Sequence, residues 1–305
     1  MPPDSKPERT VVRGSLAAAT RKIMIASPAY GDAFYTPYVS SMFKLTRVLQ
    51  KTGWAYAFNC IAYSEISESR NYLLTYWFDK TDASHILFVD ADMGFPPELV
   101  TEMLALDKPI VGAVYPKRAL DMKRVAELIG AGEAPARAMS KAQDFVLRPL
   151  RGARAKSPHP GFIEVEGCGA GILLIKRSCI ATMLQTLPEI SDAKAKTASP
   201  LAKHLDRLIR AFDAVYVDGL RLSEDFSFCH RWRHGCNGEV WANIAHEITH
   251  MGLHRFSGSY LAKLSGNSTK AVARRDGQTV VTGRLAARAP SRPAPKPAPK
   301  PAPKR

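Results

Sequence analysis

Between Lys22 and Tyr115 the chain alternates short apolar runs with stretches whose apolar residues recur at helical spacing, and this alternation restricts the fold more than any other feature. Lys22 to Ala26, Trp54 to Phe58, Ile86 to Val89 and Pro109 to Tyr115 read as strands. The first is closed by Ser27-Pro28 and the last stops at Pro116-Lys117-Arg118. Val39, Met42, Phe43, Leu45, Val48 and Leu49 predict a helix ended by Gly53, and Leu73, Leu74, Trp77 and Phe78 predict a second. Pro97 to Leu106 predicts a third, with proline near its first turn. This order is that of an α/β protein whose mostly parallel central sheet is flanked by helices. Such sheets hold ligands beyond the carboxyl ends of their strands.

The expected organisation is a disordered N-terminal segment over 1–20, one folded domain over 21–265 and a disordered, basic, Pro/Ala/Lys-rich tail over 266–305. Inside the domain, 119–160 loses clear periodicity and is expected to be a mobile excursion or lid; strand character returns from Phe162 to Ile175. The net charge is +15, but ten Lys and Arg against Asp276 place nine of those charges in 266–305. The basic balance therefore describes a tail and predicts no specific nucleic-acid readout. Repeated Pro-Ala-Pro-Lys from Pro290 onward favours an extended tether that could contact an acidic polymer or a membrane surface electrostatically. Five cysteines without a CxxC pair indicate neither a disulfide framework nor a zinc ribbon. With no apolar leader and no apolar run of about 18 residues, the expected location is the cytoplasm, peripheral at a membrane surface if the tail docks there.

Asp90-Ala91-Asp92 follows directly on the apolar run Ile86 to Val89. In extended chain, residues two apart project to the same side, so both carboxylates can face one ligand at the strand's carboxyl end. Hard oxygen ligands there suit Mg²⁺ or Mn²⁺ bridging phosphates. A structural use is also open, with Asp90 capping a turn and Asp92 opening a helix. Ser223-Glu224-Asp225 allows the same duality, as an N-cap followed by two first-turn acids or as acids in a cleft. Gly167-Cys168-Gly169-Ala170-Gly171 leads into a strand, which disfavours a Rossmann phosphate loop and leaves a close substrate approach or a tight bend. Lys117 and Arg118 could meet phosphate or be a solvated strand end. His246-Glu247-Ile248-Thr249-His250 matches HExxH, the zinc-peptidase pattern when it is helical, although Val240 to His250 also alternates as a strand would. Cys229, His230, His234 and Cys236 fit no standard finger and are expected to be core thiols and surface histidines.

Ser69-Arg70-Asn71, then Ile86 to Asp92 with Pro96-Pro97-Glu98-Leu99-Val100, then Ser223-Glu224-Asp225 with Arg231-Trp232, and finally His250-Met251-Gly252, taken in this order, resemble nucleotide-sugar glycosyltransferases of the GT-A fold, particularly glycosyltransferase family 2. The resemblance spans about residues 21–260 and implies a GT-A-like (Rossmann-like) domain. It implies a metal-dependent hexosyltransferase moving a sugar from a UDP- or GDP-sugar to a hydroxyl acceptor. In that reading Asp90, Asp92 and His250 hold Mn²⁺ or Mg²⁺; Pro28, Tyr30, Glu65, Arg70, Asp90 and Lys117 bind the donor. Asp225, or less favourably Glu224, is the base, and Gly169, Arg231 and Trp232 lie on the acceptor side. Family members carry an acid near the end of the second strand that reads uracil; here the stretch offers Glu65, and base identity and anomeric outcome stay open. Two other functions are compatible with the sequence: a catalytically inactive nucleotide-sugar-binding or tethering protein, and the HExxH metallopeptidase.

Overall fold

The computed structural model describes residues 11–14, 21–150, 160–193 and 204–252, all within the compact unit Met1–Leu253. The expected tail of 266–305 lies outside the described residues. The first half contains β1 (Val11–Gly14), β2 (Arg21–Pro28), α1 (Thr36–Lys51), β3 (Trp54–Ile61), α2 (Ile66–Lys80) and β4 (His85–Val89). It continues with β5 (Met93–Gly94), α3 (Glu98–Leu106), β6 (Ile110–Ala113), β7 (Pro116–Leu120), α4 (Met122–Gly130), α5 (Pro135–Lys141), β8 (Gln143–Phe145) and β9 (Leu147–Pro149). The second half has β10 (Phe162–Cys168), β11 (Ile172–Lys176), α6 (Arg177–Thr186) and the short strands β12 (Ser191–Asp192), β13 (Leu208–Ile209), β14 (Tyr216–Val217) and β15 (Leu220–Arg221). It closes with α7 (Glu224–His230), β16 (Val240–Asn243) and β17 (Thr249–His250).

The central sheet has nine strands in the order β1-β3-β2-β4-β11-β6-β16-β10-β9. The pairs β2–β3, β2–β4 and β6–β16 are parallel. The remaining neighbours run antiparallel, so the sheet is mixed and not mostly parallel. The difference comes chiefly from β11, which the chain enters at the carboxyl edge through Gly169-Ala170-Gly171 and which therefore runs against both β4 and β6. Ile172, Leu173, Leu174 and Ile175 are buried throughout, and a strand covered on both faces carries no sequence mark of its direction. Residues 11–14, expected to be disordered, form an edge strand paired with β3.

Alternate residues of each strand feed two cores. Met24, Ala26, Ile86 and Phe88 pack with Leu73 and Trp77 of α2 and Ile180 and Met183 of α6. Ile23, Ile25, Leu87 and Val89 pack with Leu45 and Leu49 of α1 and Leu99, Val100 and Met103 of α3. Of the 119–160 stretch expected to be a mobile excursion, residues 119–150 contain α4 and α5 around a separate cluster of Val125, Ala138 and Ala142, and residues 151–159 lie outside the described residues. These helices have 9 and 7 residues, too short for a helical period to stand out over a window of roughly 11 or more. Among the described residues no helix is long and apolar enough to cross a membrane.

Candidate active site

The carboxyl ends of β2, β4 and β6 share one rim, and the residues of interest arrive there from six elements. At the end of β4, Asp90 N donates to Gly171 O at 2.9 Å, and Met93 N donates back to Asp90 O at 3.0 Å. This second bond closes a turn over Asp90-Ala91-Asp92-Met93, so the alternation expected of extended chain does not apply. The two carboxylates remain close enough for Asp92 to help raise the Asp90 pKa, yet they take different partners.

Asp90 faces Arg70. The guanidinium, only 2% exposed, sets Nη2 between both carboxylate oxygens at 2.9 and 3.0 Å. Its Nη1 donates to Ala170 O at 3.2 Å and its Nε lies 3.6 Å from Glu224 Oε1. Phe88 and Phe212 sit beneath it, with ring centroids 5.6 and 6.0 Å from the guanidinium carbon. Burial pushes the Asp90 pKa up, and the Arg70 charge opposes that shift. Arg70, expected to approach base or phosphate, is thus enclosed beneath the rim, where it ties β4, the β10–β11 turn and the start of α7 together. Its neighbour Asn71 fixes the next loop, donating to Asp213 Oδ1 at 2.7 Å and accepting from Phe212 N at 2.9 Å.

Asp92 faces His250. β17 pairs antiparallel with β5, placing His250 opposite Met93, and Met251 N donates to Asp92 O at 2.9 Å. His250 Nε2 lies 3.5 Å from Asp92 Oδ2, while Nδ1 is 2.8 Å from Pro116 O. A carbonyl only accepts, so Nδ1 carries a hydrogen and Nε2 is the ring nitrogen turned to Asp92. Arg118 of β7 reaches the same Asp92 Oδ2 with Nη1 at 3.2 Å. Among the described residues no three His, Cys, Asp or Glu side chains are grouped to hold one metal ion. The expected trio therefore separates, Asp92 and His250 facing each other and Asp90 turning to Arg70.

Glu224 and Asp225 open α7. Ser223 does not cap the helix; its hydroxyl donates to Asp225 Oδ1, which also accepts from Phe226 N at 2.7 Å. Asp225 is buried, and its Oδ2 has no hydrogen-bond partner among the described residues. Glu224 is engaged by Arg70.

Tyr115, just past β6, was not singled out by its sequence, where an aromatic at a strand end carries no distinguishing pattern. Its hydroxyl accepts from Gly171 N at 3.2 Å, and its ring meets His250 edge-on at 5.3 Å. Burial, with Asp90 and Asp225 nearby, pushes its pKa up. A Cβ at Gly169 would lie 2.1 Å from the Tyr115 hydroxyl oxygen, and one at Gly171 would lie 2.5 Å from Met93 Cε. The space over Gly169, expected to admit substrate, is filled by Tyr115.

The other expected contacts fall differently. Pro28 ends β2 and is buried, whereas Tyr30 in the following turn is 76% exposed. Glu65 caps α2, accepting from Glu68 N at 2.6 Å and Ser67 N at 3.3 Å. Lys117 pairs with Asp144 at 3.6 Å. Arg231, expected on the acceptor side, donates to Ala211 O at 2.9 Å and to Asp213 O. Trp232 is buried and donates to Glu239 O at 3.0 Å. Both hold loops together. The HExxH run forms a turn and the strand β17, so its histidines part: His246 Nε2 meets Glu102 Oε2 at 2.8 Å and His250 meets Asp92. A zinc-peptidase helix is absent there. Cys229 is buried in the core, and His234 Nε2 meets Glu166 Oε1 at 2.6 Å, as expected of core thiols and surface histidines.

No family model and no curated protein matches the chain. Among solved structures it is similar to A197 from STIV, at 14% identity and TM-score 0.40 over 76% of this chain and 86% of that one. It is also similar to S. aureus TarS 1-349, at 11% identity and TM-score 0.33 over 73% of this chain and 57% of that one. At these values neither likeness bears on what the chain does.

Proposed function

We propose that the protein is a glycosyltransferase that moves a sugar from a nucleoside-diphosphate sugar to a hydroxyl acceptor with the help of Mn²⁺ or Mg²⁺. One observation carries the reading: a carboxylate oxygen and an imidazole nitrogen face each other across 3.5 Å at the sheet rim, the imidazole fixed in that orientation through its other nitrogen. Metal-binding histidines are characteristically oriented by such a second bond. A carboxylate oxygen and an imidazole nitrogen so placed can share a cation once Arg118 gives up that oxygen. The carboxylate suits Mn²⁺ or Mg²⁺, the imidazole favours the softer Mn²⁺ of the two, and phosphate oxygens and water would supply the remaining ligands. Asp92 and His250 would hold that ion. When bound, it neutralises charge on the departing diphosphate.

The remaining work falls to the chain. Arg70 holds Asp90 rigid at the end of β4, where its free lone pairs can accept from a donor hydroxyl. Glu224 is occupied by Arg70, so Asp225 is the better base, with Oδ1 fixed by Ser223 and Phe226 N and Oδ2 left to take the acceptor proton. Tyr30, exposed in the turn after β2, would lie against the nucleobase, whereas the Glu65 carboxylate is taken up by the α2 cap.

The test measures Mn²⁺-dependent hydrolysis or transfer with UDP- and GDP-sugars, together with thermal shifts on adding each. Asp92→Asn is expected to keep the melting temperature and lose turnover by at least about a hundredfold. Full turnover in Asp92→Asn refutes the assignment. Mn²⁺-dependent nucleotide binding without hydrolysis or transfer replaces the enzyme with a binding protein.

A further inference from the structure

We infer that Arg118 is a movable counter-ion of the site: it neutralises Asp92 while no cation is bound, then yields that carboxylate and turns to the donor's phosphates. The inference rests on the proposed function and adds a coupling between cation and nucleotide. Arg118 Nη1 and His250 Nε2 converge on a single atom, Asp92 Oδ2, at 3.2 and 3.5 Å. A divalent ion held by Asp92 and His250 would sit against the guanidinium, and two cations cannot share that oxygen without repulsion.

The arm is built to move. Its side chain is 57% exposed against 18% for Asp92, and the contact to Asp92 is the guanidinium's one hydrogen bond to the described residues. Its aliphatic part lies across Gly252, where a Cβ would stand 3.0 Å from Arg118 Cδ and 3.2 Å from its Cβ and Cγ. Arg70 is the opposite case, enclosed and multiply bonded, and has no freedom to exchange partners. Of the two basic residues that open β7, Lys117 reaches Asp144 and Arg118 reaches the site. Once displaced, a guanidinium beside a bound ion meets the diphosphate that the ion recruits, and its planar fork matches phosphate oxygens. Cation and nucleotide should therefore bind with positive coupling.

Isothermal titration of the full chain tests this with MnCl₂ alone, and then with UDP and GDP at saturating Mn²⁺. Relative to the parent, Arg118→Ala should bind Mn²⁺ alone about three- to fivefold more tightly, since an exposed pair opposing the ion is gone. The same variant should bind the preferred diphosphate about tenfold more weakly, having lost a charge-assisted contact. Arg118→Lys, which keeps the charge without the fork, should fall between the two. Asp92→Asn separates the layers. If Asp92→Asn binds Mn²⁺ as the parent does, the proposed site itself fails. If it loses Mn²⁺ while Arg118→Ala shows no tightening toward Mn²⁺ or no weakening toward diphosphate, the counter-ion role fails and the site stands.

Discussion

Replacing Arg70 with methionine removes one buried cation and leaves two carboxylates and a carbonyl behind. Asp90 loses Nη2 at 2.9 and 3.0 Å, Ala170 O loses Nη1 at 3.2 Å, and Glu224 loses its ion-pair partner. Breaking a buried pair from one side costs about 3–5 kcal/mol, because the surviving charge keeps its desolvation penalty. Asp90→Asn is milder: Arg70 keeps Glu224 and Ala170 O, and the cost is about 1–2 kcal/mol. In the double variant no uncompensated charge remains at Asp90, and the loss should fall short of the sum by about 2 kcal/mol. Urea unfolding of the four proteins gives this coupling directly. The pH dependence supplies a second readout. Burial already raises the Asp90 pKa, and Arg70 is the strongest influence holding it down. Without Arg70 it rises further, so the folded state holds a proton that the unfolded chain has released. Stability of Arg70→Met is then fullest below about pH 4, near the unfolded carboxylate pKa, and declines as pH rises through the raised folded value. Its deficit against the parent should be smaller at pH 4 than at pH 8. Additive losses within about 0.5 kcal/mol, together with an equal deficit at both pH values, would refute the clamp.

His85, at the far end of β4, gives a pH effect of the opposite sign. Burial, with Lys176 nearby and Asp107 opposing, lowers its pKa to about 4 from an unfolded value of about 6.5. Its contribution is present above pH 6.5 and is lost as pH falls toward 4, amounting to about 2 kcal/mol between pH 7 and pH 5. Chemical denaturation of the parent and His85→Leu across that range should show the difference closing, and parallel curves would contradict it. Gly169→Ala forces a methyl onto the Tyr115 hydroxyl, 2.1 Å away before relaxation, and should cost about 1–3 kcal/mol by thermal denaturation. Tyr115→Phe in the same background should recover part of that loss; no recovery would place the clash elsewhere.

Ordered residues were readable along the chain wherever the deciding interaction is local. The strand and helix alternation from β2 to β6 follows from apolar spacing, and the Asp90-Ala91-Asp92 run shows its place because an apolar strand leads straight into it. The turn-rich middle was not readable, since α4 and α5 are short and bury only a small cluster. Tyr115 carried no local signal, because its role depends on glycines more than fifty residues away in sequence.

What the sequence by itself determined is therefore which segments are strands and helices and where the acids fall relative to them, because burial periodicity acts over a few residues. Tertiary structure alone decided the reversed direction of β11, the division of Asp90 to Arg70 and Asp92 to His250, and the splitting of the HExxH histidines between a turn and a strand. Each of these depends on a partner brought in from a distant element, and a charge or a hydrogen-bonding group has no preferred partner until the packed core sets the distances.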